Sequence, residues 1–105
     1  MRIGVTGAFG FLGANFVAEL LARGDAEIVA FASRTRSNPL FDPARVEVQS
    51  LDVLDGEGAA RAFEGLDAVA HFAGKVDYRE NAKRAVWDAD AVGTKRVFDA
   101  ALAAG

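Results

Sequence analysis

The chain has 105 residues, of which 51% are apolar and 26% charged, with a net charge of -3. That is one domain with enough apolar residues for a core, and it lacks the clustered basic surface that a nucleic-acid partner requires. Zero cysteines and one histidine, His71, exclude a disulfide framework, a thiolate metal site and an imidazole cluster, so no metal ligand set is assigned.

In chain order, the apolar run Ile3 to Val5 reads as a first strand. Glycines at 4, 7, 10 and 13 interrupt what could be misread as a secretion signal, so no targeting segment, no membrane partner and a cytoplasmic protein are expected. After the turn Thr6-Gly7-Ala8-Phe9-Gly10-Phe11-Leu12-Gly13, residues Phe16, Val17, Leu20 and Leu21 fall on one helical face. Arg23 stands in the last turn and Gly24 is the stop. Glu27 to Ala32 predicts a second strand, buried on both faces because the polar alternation of a half-exposed strand is missing. Ser33 to Ala44, with Pro39 and Pro43, is a polar connection with room for a turn of helix, and Arg45 to Leu51 alternates as a third strand nearer the edge.

Asp55 can cap a short helix that buries Ala59, Ala60, Ala62 and Phe63 and ends at Gly65. A fourth strand, Ala68 to Phe72, and a helix from about residue 80 to 104 complete the pattern. That helix would carry Val86, Ala89, Gly93, Val97 and Ala101 on one stripe. Strands alternating with helices predict an α/β fold: a Rossmann-type doubly wound parallel sheet of order 3-2-1-4 in three αβα layers. The order reverses beside strand 1, so the crevice at its carboxyl end is where such a sheet binds ligands.

The glycine turn sits at that crevice. Gly7 can take the positive φ of a tight turn, Gly10 leaves no Cβ between backbone and ligand, and Gly13 lets the helix lie close. The first-turn amides of the helix lack intrahelical partners and carry the positive end of its dipole, which suits a dinucleotide pyrophosphate. A purely structural strand-to-helix turn is the plainer alternative.

Four segments in order, TGAFGFLG at 6 to 13, LDVLD at 51 to 55, VAHFAG at 69 to 74 and VGTKRVFDAA at 92 to 101, resemble motifs of the extended short-chain dehydrogenase/reductase family. This family includes nucleotide-sugar epimerases and dehydratases and dihydroflavonol-reductase-like enzymes, and the likeness covers essentially the whole chain. The resemblance implies that Gly7, Phe9, Gly10, Phe11, Leu12 and Gly13 form the pyrophosphate turn, with the backbone at 10 to 12 in contact. It also implies that the Asp52 carboxylate accepts from the adenine amino group, that the Val53 backbone meets the same ring, and that Phe72, Ala73 and Gly74 lead the chain under the cofactor's ribose. Without the resemblance, Asp52 reads as a solvated strand end and Ala73-Gly74 as a tight strand exit. His71 reads as a packed strand residue, with nothing near it in sequence to polarise it as a general base.

About 20 residues past the turn, NAD-selective folds place an acid against the ribose 2′-hydroxyl. Ala32, Ser33 and Arg34 stand there, with Arg36 nearby, and Glu27 is at the wrong end of the strand. A guanidinium grips a 2′-phosphate where an acid would repel it, so Ser33 and Arg34 predict NADP, with NAD as the alternative. In the dihydroflavonol-reductase-like branch an arginine at the Arg34 position serves this purpose; otherwise Arg34 and Arg36 are solvated loop charges.

The family's chemistry uses a tyrosine with a lysine four residues on. Tyr78 has Ala82 at that position, and Lys83 at the fifth lies about 140° round a helix from it, so no catalytic residue is assigned. Asp90 stands where the family helix usually has asparagine, which removes a donor. The resemblance implies an amino-terminal portion of a hydride-transferring oxidoreductase or epimerase/dehydratase acting on a small-molecule substrate, with homodimers formed through the helix matched by 80 to 104. The competing function is a non-catalytic dinucleotide-binding module or redox sensor. In the portion alone, strand 4 would be an apolar edge open to pairing with another chain.

Overall fold

The computed structural model describes residues 1–24, 26–33, 38–52, 54–73 and 92–104. Strand β1 (Arg2–Thr6) leads to helix α1 (Phe11–Arg23), strand β2 (Glu27–Ala32), a 3-10 turn (Pro43–Arg45), strand β3 (Glu47–Ser50), helix α2 (Gly56–Phe63), strand β4 (Ala68–His71) and helix α3 (Gly93–Ala104). All neighbouring strands run parallel, in the order β3-β2-β1-β4. Val5 lies opposite Ala30 on one side and Ala70 on the other, and Ala30 lies opposite Val48.

Alternation along the strands divides the core between two faces. Ile3 and Val5 of β1 and Ile28, Ala30 and Ala32 of β2 join Ala14 and Val17 of α1 in one cluster. Val29 and Phe31, the intervening residues of β2, join Ala59, Phe63, Val97 and Ala100 in the other, beneath α2 and α3. Burial of β2 on both faces follows from its unbroken apolar run, because a period of two sends successive side chains to opposite helical layers. The result is the three-layer arrangement expected from the sequence.

Three features of the elements differ from expectation. The third strand begins at Glu47, not Arg45, because Pro43 supplies no amide to a ladder and Asp42 Oδ1 accepts from Ala44 N–H at 2.9 Å, closing the 3-10 turn first. The fourth strand ends at His71, one residue early, although Phe72 N–H still reaches Thr6 O at 3.0 Å. In the described part of the last helix, the buried stripe is Val97 and Ala100 with Ala101 and Ala104 beside them, so the core-facing row includes i+3 as well as i+4. Residues 80 to 91 of that predicted helix, including Val86 and Ala89, lie outside the described residues.

The helix ends behave as their residues dictate. Gly24 N–H closes α1 on Leu20 O at 3.1 Å, and Asp55 Oδ1 caps α2 by accepting from Gly58 N–H at 3.0 Å. At the amino edge of the sheet, Arg2 bridges Glu27 and Glu47 at 3.3 and 2.6 Å. These are exposed pairs, worth at most about 1 kcal/mol each. The opposite, carboxyl edge holds the features that bear on function.

Candidate functional site

Four chain exits line the carboxyl edge: the glycine turn after β1, Ser33 after β2, Leu51-Asp52 after β3 and Phe72-Ala73 after β4. Their order follows from the sheet order, and short bonds tie them together. Leu51 N–H donates to Ala32 O at 2.9 Å, which sets the exit of β3 beside that of β2.

In the turn, Gly7 has φ of 64°, a left-handed conformation that a side chain would strain. A Cβ there would also stand 2.6 Å from Ala73 N and Phe72 C, so Gly7 is the point where the turn and the β4 exit pack against each other. Gly13 serves the same closeness from the helix side, since a Cβ on it would collide with the Gly7 carbonyl. The close approach is therefore made to the turn just beyond β1, not to the strand itself.

Gly10 differs. Its backbone is extended, with φ of -81° and ψ of 176°, and a Cβ on it would meet only Gly7 O, at 3.4 Å. The space in front of it is open, which is what a close-lying ligand requires. The Gly10 amide donates to Gly7 O at 3.1 Å, so its proton is already engaged. Gly10 is the N-cap of α1 and no side chain caps that helix. Among the described residues nothing accepts from the amides of Phe11, Leu12 and Gly13, which leaves three donors at the positive end of the helix dipole. The side chains of Phe11 and Leu12 are 80% and 65% exposed, and Phe72 across the turn is also exposed.

Two residues unassigned by sequence reasoning hold this edge in place. Thr6 is only 1% exposed. Its Oγ1 accepts from Phe72 N–H at 3.1 Å and Ala73 N–H at 3.3 Å, and it stands 2.5 Å from His71 Nδ1. With both lone pairs taken, the Thr6 hydroxyl donates to Nδ1; His71 then carries its proton on Nε2 and donates to Thr94 Oγ1 at 3.1 Å. Burial pushes the His71 pKa below its ordinary value, in keeping with a neutral ring. His71 is a packed strand residue, as expected from sequence, but one with both ring nitrogens in use. The second residue is Asn38, whose Nδ2 donates to Phe9 O at 3.1 Å while Phe41 packs on Phe9 with ring centroids 5.3 Å apart. A threonine ending an apolar strand is a signal that a buried hydroxyl needs partners; Asn38, in an irregular loop, carries no periodic signal.

Asp52 is exposed, and its Oδ1 accepts from Leu54 N–H at 2.9 Å, while its other oxygen has no partner among the described residues. Ser33 is exposed at the end of β2. Arg34, Arg36, Val53, Gly74, Tyr78, Lys83 and Asp90 lie outside the described residues. The geometry thus brings Gly7, Phe9, Gly10, Phe11, Leu12, Gly13, Phe72 and Ala73 together and sets Ser33 and Asp52 along the same edge. Among the described residues there is no group of histidine, aspartate and glutamate able to hold a metal, and no helix long and apolar enough to cross a membrane.

The chain is similar to known proteins in sequence and in fold. Residues 3–105 match the NAD dependent epimerase/dehydratase family. The chain is 37% identical over 101 residues to sterol demethylase protein B of Methylococcus capsulatus, covering 96% of this chain and 30% of that protein. It is 35% identical over 112 residues to a 3-beta-hydroxysteroid dehydrogenase of Mycolicibacterium neoaurum, covering 99% and 29%. Among solved structures, a short-chain dehydrogenase/reductase superfamily protein from Agrobacterium tumefaciens with bound NAD superposes with a TM-score of 0.78 at 27% identity, covering 100% of this chain and 30% of the other. The chain therefore spans about 30% of the length of the relatives it matches.

Proposed function

The chain belongs to the NAD dependent epimerase/dehydratase family, and on that premise we propose that it forms the dinucleotide-binding part of an oxidoreductase that transfers hydride at a carbon bearing oxygen. The observation that carries this reading is the uncapped start of α1, with three unpartnered amides beside a glycine whose missing Cβ leaves the approach open. In this reading the Phe11 and Leu12 amides hold the pyrophosphate, Gly7 and Gly13 let the turn close, and Thr6 fixes Phe72 and Ala73 under the ribose. Asp52 accepts from the adenine amino group, with Val53 and Gly74 completing the contacts by resemblance. When bound, a nicotinamide dinucleotide supplies the hydride acceptor or donor; these residues bind and orient it.

NADP is the coenzyme favoured by residues 32 to 36, which hold Ser33, Arg34 and Arg36 and no acid. The Agrobacterium protein binds NAD, which supports the nicotinamide class. The name of one sequence relative, a 3-beta-hydroxysteroid dehydrogenase, favours a redox reaction at a hydroxyl-bearing carbon. Fluorescence titration with NADPH and NADH tests the binding and its preference together. Arg34→Ala should weaken NADPH by about tenfold or more and NADH little, the size of a lost charge-assisted pair. Equal loss for both would leave Arg34 a loop charge, and no saturable binding of either would remove the dinucleotide reading.

A further inference from the structure

Helix α3 sends one cation to the site's adenine end. Arg96, on an exposed turn of α3, donates through Nη1 to the carbonyl oxygen of Leu54, a contact across 42 residues of sequence. Its surroundings make the choice of acceptor informative. Asp55, Glu57 and Asp99 line the same groove between α2 and α3, yet among the described residues Arg96 pairs with none of them. The guanidinium is directed instead at a neutral carbonyl in the turn that follows Asp52.

That turn is closed on itself by Leu54 N–H to Asp52 Oδ1 at 2.9 Å and Asp55 N–H to Asp52 O at 2.9 Å. Leu54 is therefore held on both sides: its amide by Asp52 and its carbonyl by Arg96. Val97 and Ala100, adjacent to Arg96 along α3 and on its next turn, are buried against α2, so the arginine stem springs from a fixed helix. Arg96 thus holds the Leu54–Asp55 peptide, whose N–H bonds the Asp52 carbonyl, while the Leu54 amide on the other side of the same Cα holds the Asp52 carboxylate.

We propose that Arg96 is a positioning residue for adenine recognition, clamping the Asp52–Leu54 turn so that the free oxygen of Asp52 faces the 6-amino group of the purine. The proposal rests on the reading of Asp52 given above. A preset acceptor discriminates by chemistry: adenine donates at position 6, whereas hypoxanthine presents an oxo group there, which only accepts and is repelled by a carboxylate.

Reduced nicotinamide hypoxanthine dinucleotide, titrated beside NADH on this chain, is the probe. The wild type should bind NADH more tightly than the hypoxanthine analogue. Arg96→Ala should weaken NADH by about three- to tenfold, the range for losing one exposed hydrogen bond to a charged donor, and leave the analogue unchanged, so that the preference shrinks. Arg96→Lys, which keeps a donor, should restore part of it. If Arg96→Ala weakens both dinucleotides equally, the residue is merely structural; if it changes neither, the clamp has no bearing on recognition, and either result overturns the proposal. A wild type that binds both alike would instead overturn the reading of Asp52, and the role of Arg96 with it.

Discussion

Alanine at Gly10 and at Gly13 should have opposite consequences, although both glycines stand in one turn. At Gly13 a Cβ would collide with the Gly7 carbonyl oxygen, come within 2.7 Å of the Gly7 carbonyl carbon and lie 3.1 Å from the Ala8 Cα. All are backbone atoms, so no rotamer change relieves the overlap and turn or helix must move. Overpacking of this kind costs about 3 kcal/mol at the upper end of its range, while helix propensity returns about 1 kcal/mol on replacing glycine by alanine. The net loss is about 2 kcal/mol, or a Tm lower by roughly 8–16 °C for a domain of this size. At Gly10 the nearest atom to a Cβ is 3.4 Å away and the backbone is one any residue adopts. Losing a glycine N-cap to alanine there costs less than about 1 kcal/mol, yet the methyl enters the space in front of the Phe11 and Leu12 amides. Thermal unfolding and NADPH titration of both variants separate the two effects. Gly10→Ala should stay folded and lose affinity by about tenfold or more, by analogy with the cost of a misfitted group in a packed site. Unchanged affinity in Gly10→Ala, or a Gly13→Ala protein as stable as the wild type, would refute the reasoning.

Thr6→Val keeps the shape of a residue that is 1% exposed but deletes the oxygen that receives two amides. Ala73 N–H loses its acceptor while Phe72 N–H keeps Thr6 O, so chemical denaturation should show a loss of about 1–3 kcal/mol. Stability should also fall in mild acid through His71. Its folded pKa lies below the ordinary value, so the unfolded chain takes the proton first. The contribution is complete above the unfolded pKa, about 6.5, and is lost as pH falls through the folded one. Protonation also sets a second donor against the Thr6 hydroxyl. Denaturation midpoints measured from pH 7.5 to 5 should therefore drop more steeply for the wild type than for His71→Gln, and parallel profiles would contradict the assignment.

The sheet and the turn were legible in the sequence because both depend on near neighbours. An unbroken apolar run makes β2 a strand buried on two faces, and glycines three apart after β1 are a local pattern with a steric meaning. What sequence missed depends on distant partners or on local competition. Thr6 meets residues 65 to 67 positions away, and Asn38 reaches Phe9 across 29, neither of which leaves a periodic trace. The early part of the predicted third strand went instead to a capped turn, because Asp42 and Pro43 favour that geometry over a ladder.

The central claim is that the free amides at the start of α1 hold a pyrophosphate. Amide-resolved NMR of the 15N-labelled chain, titrated with NADPH, addresses it directly. The amide resonances of Phe11 and Leu12 should move saturably and farther than that of Gly10, whose proton is already bonded, with the same amides responding to ADP-ribose. Saturable binding that leaves Phe11 and Leu12 unmoved, with the shifts gathered elsewhere on the fold, would contradict it.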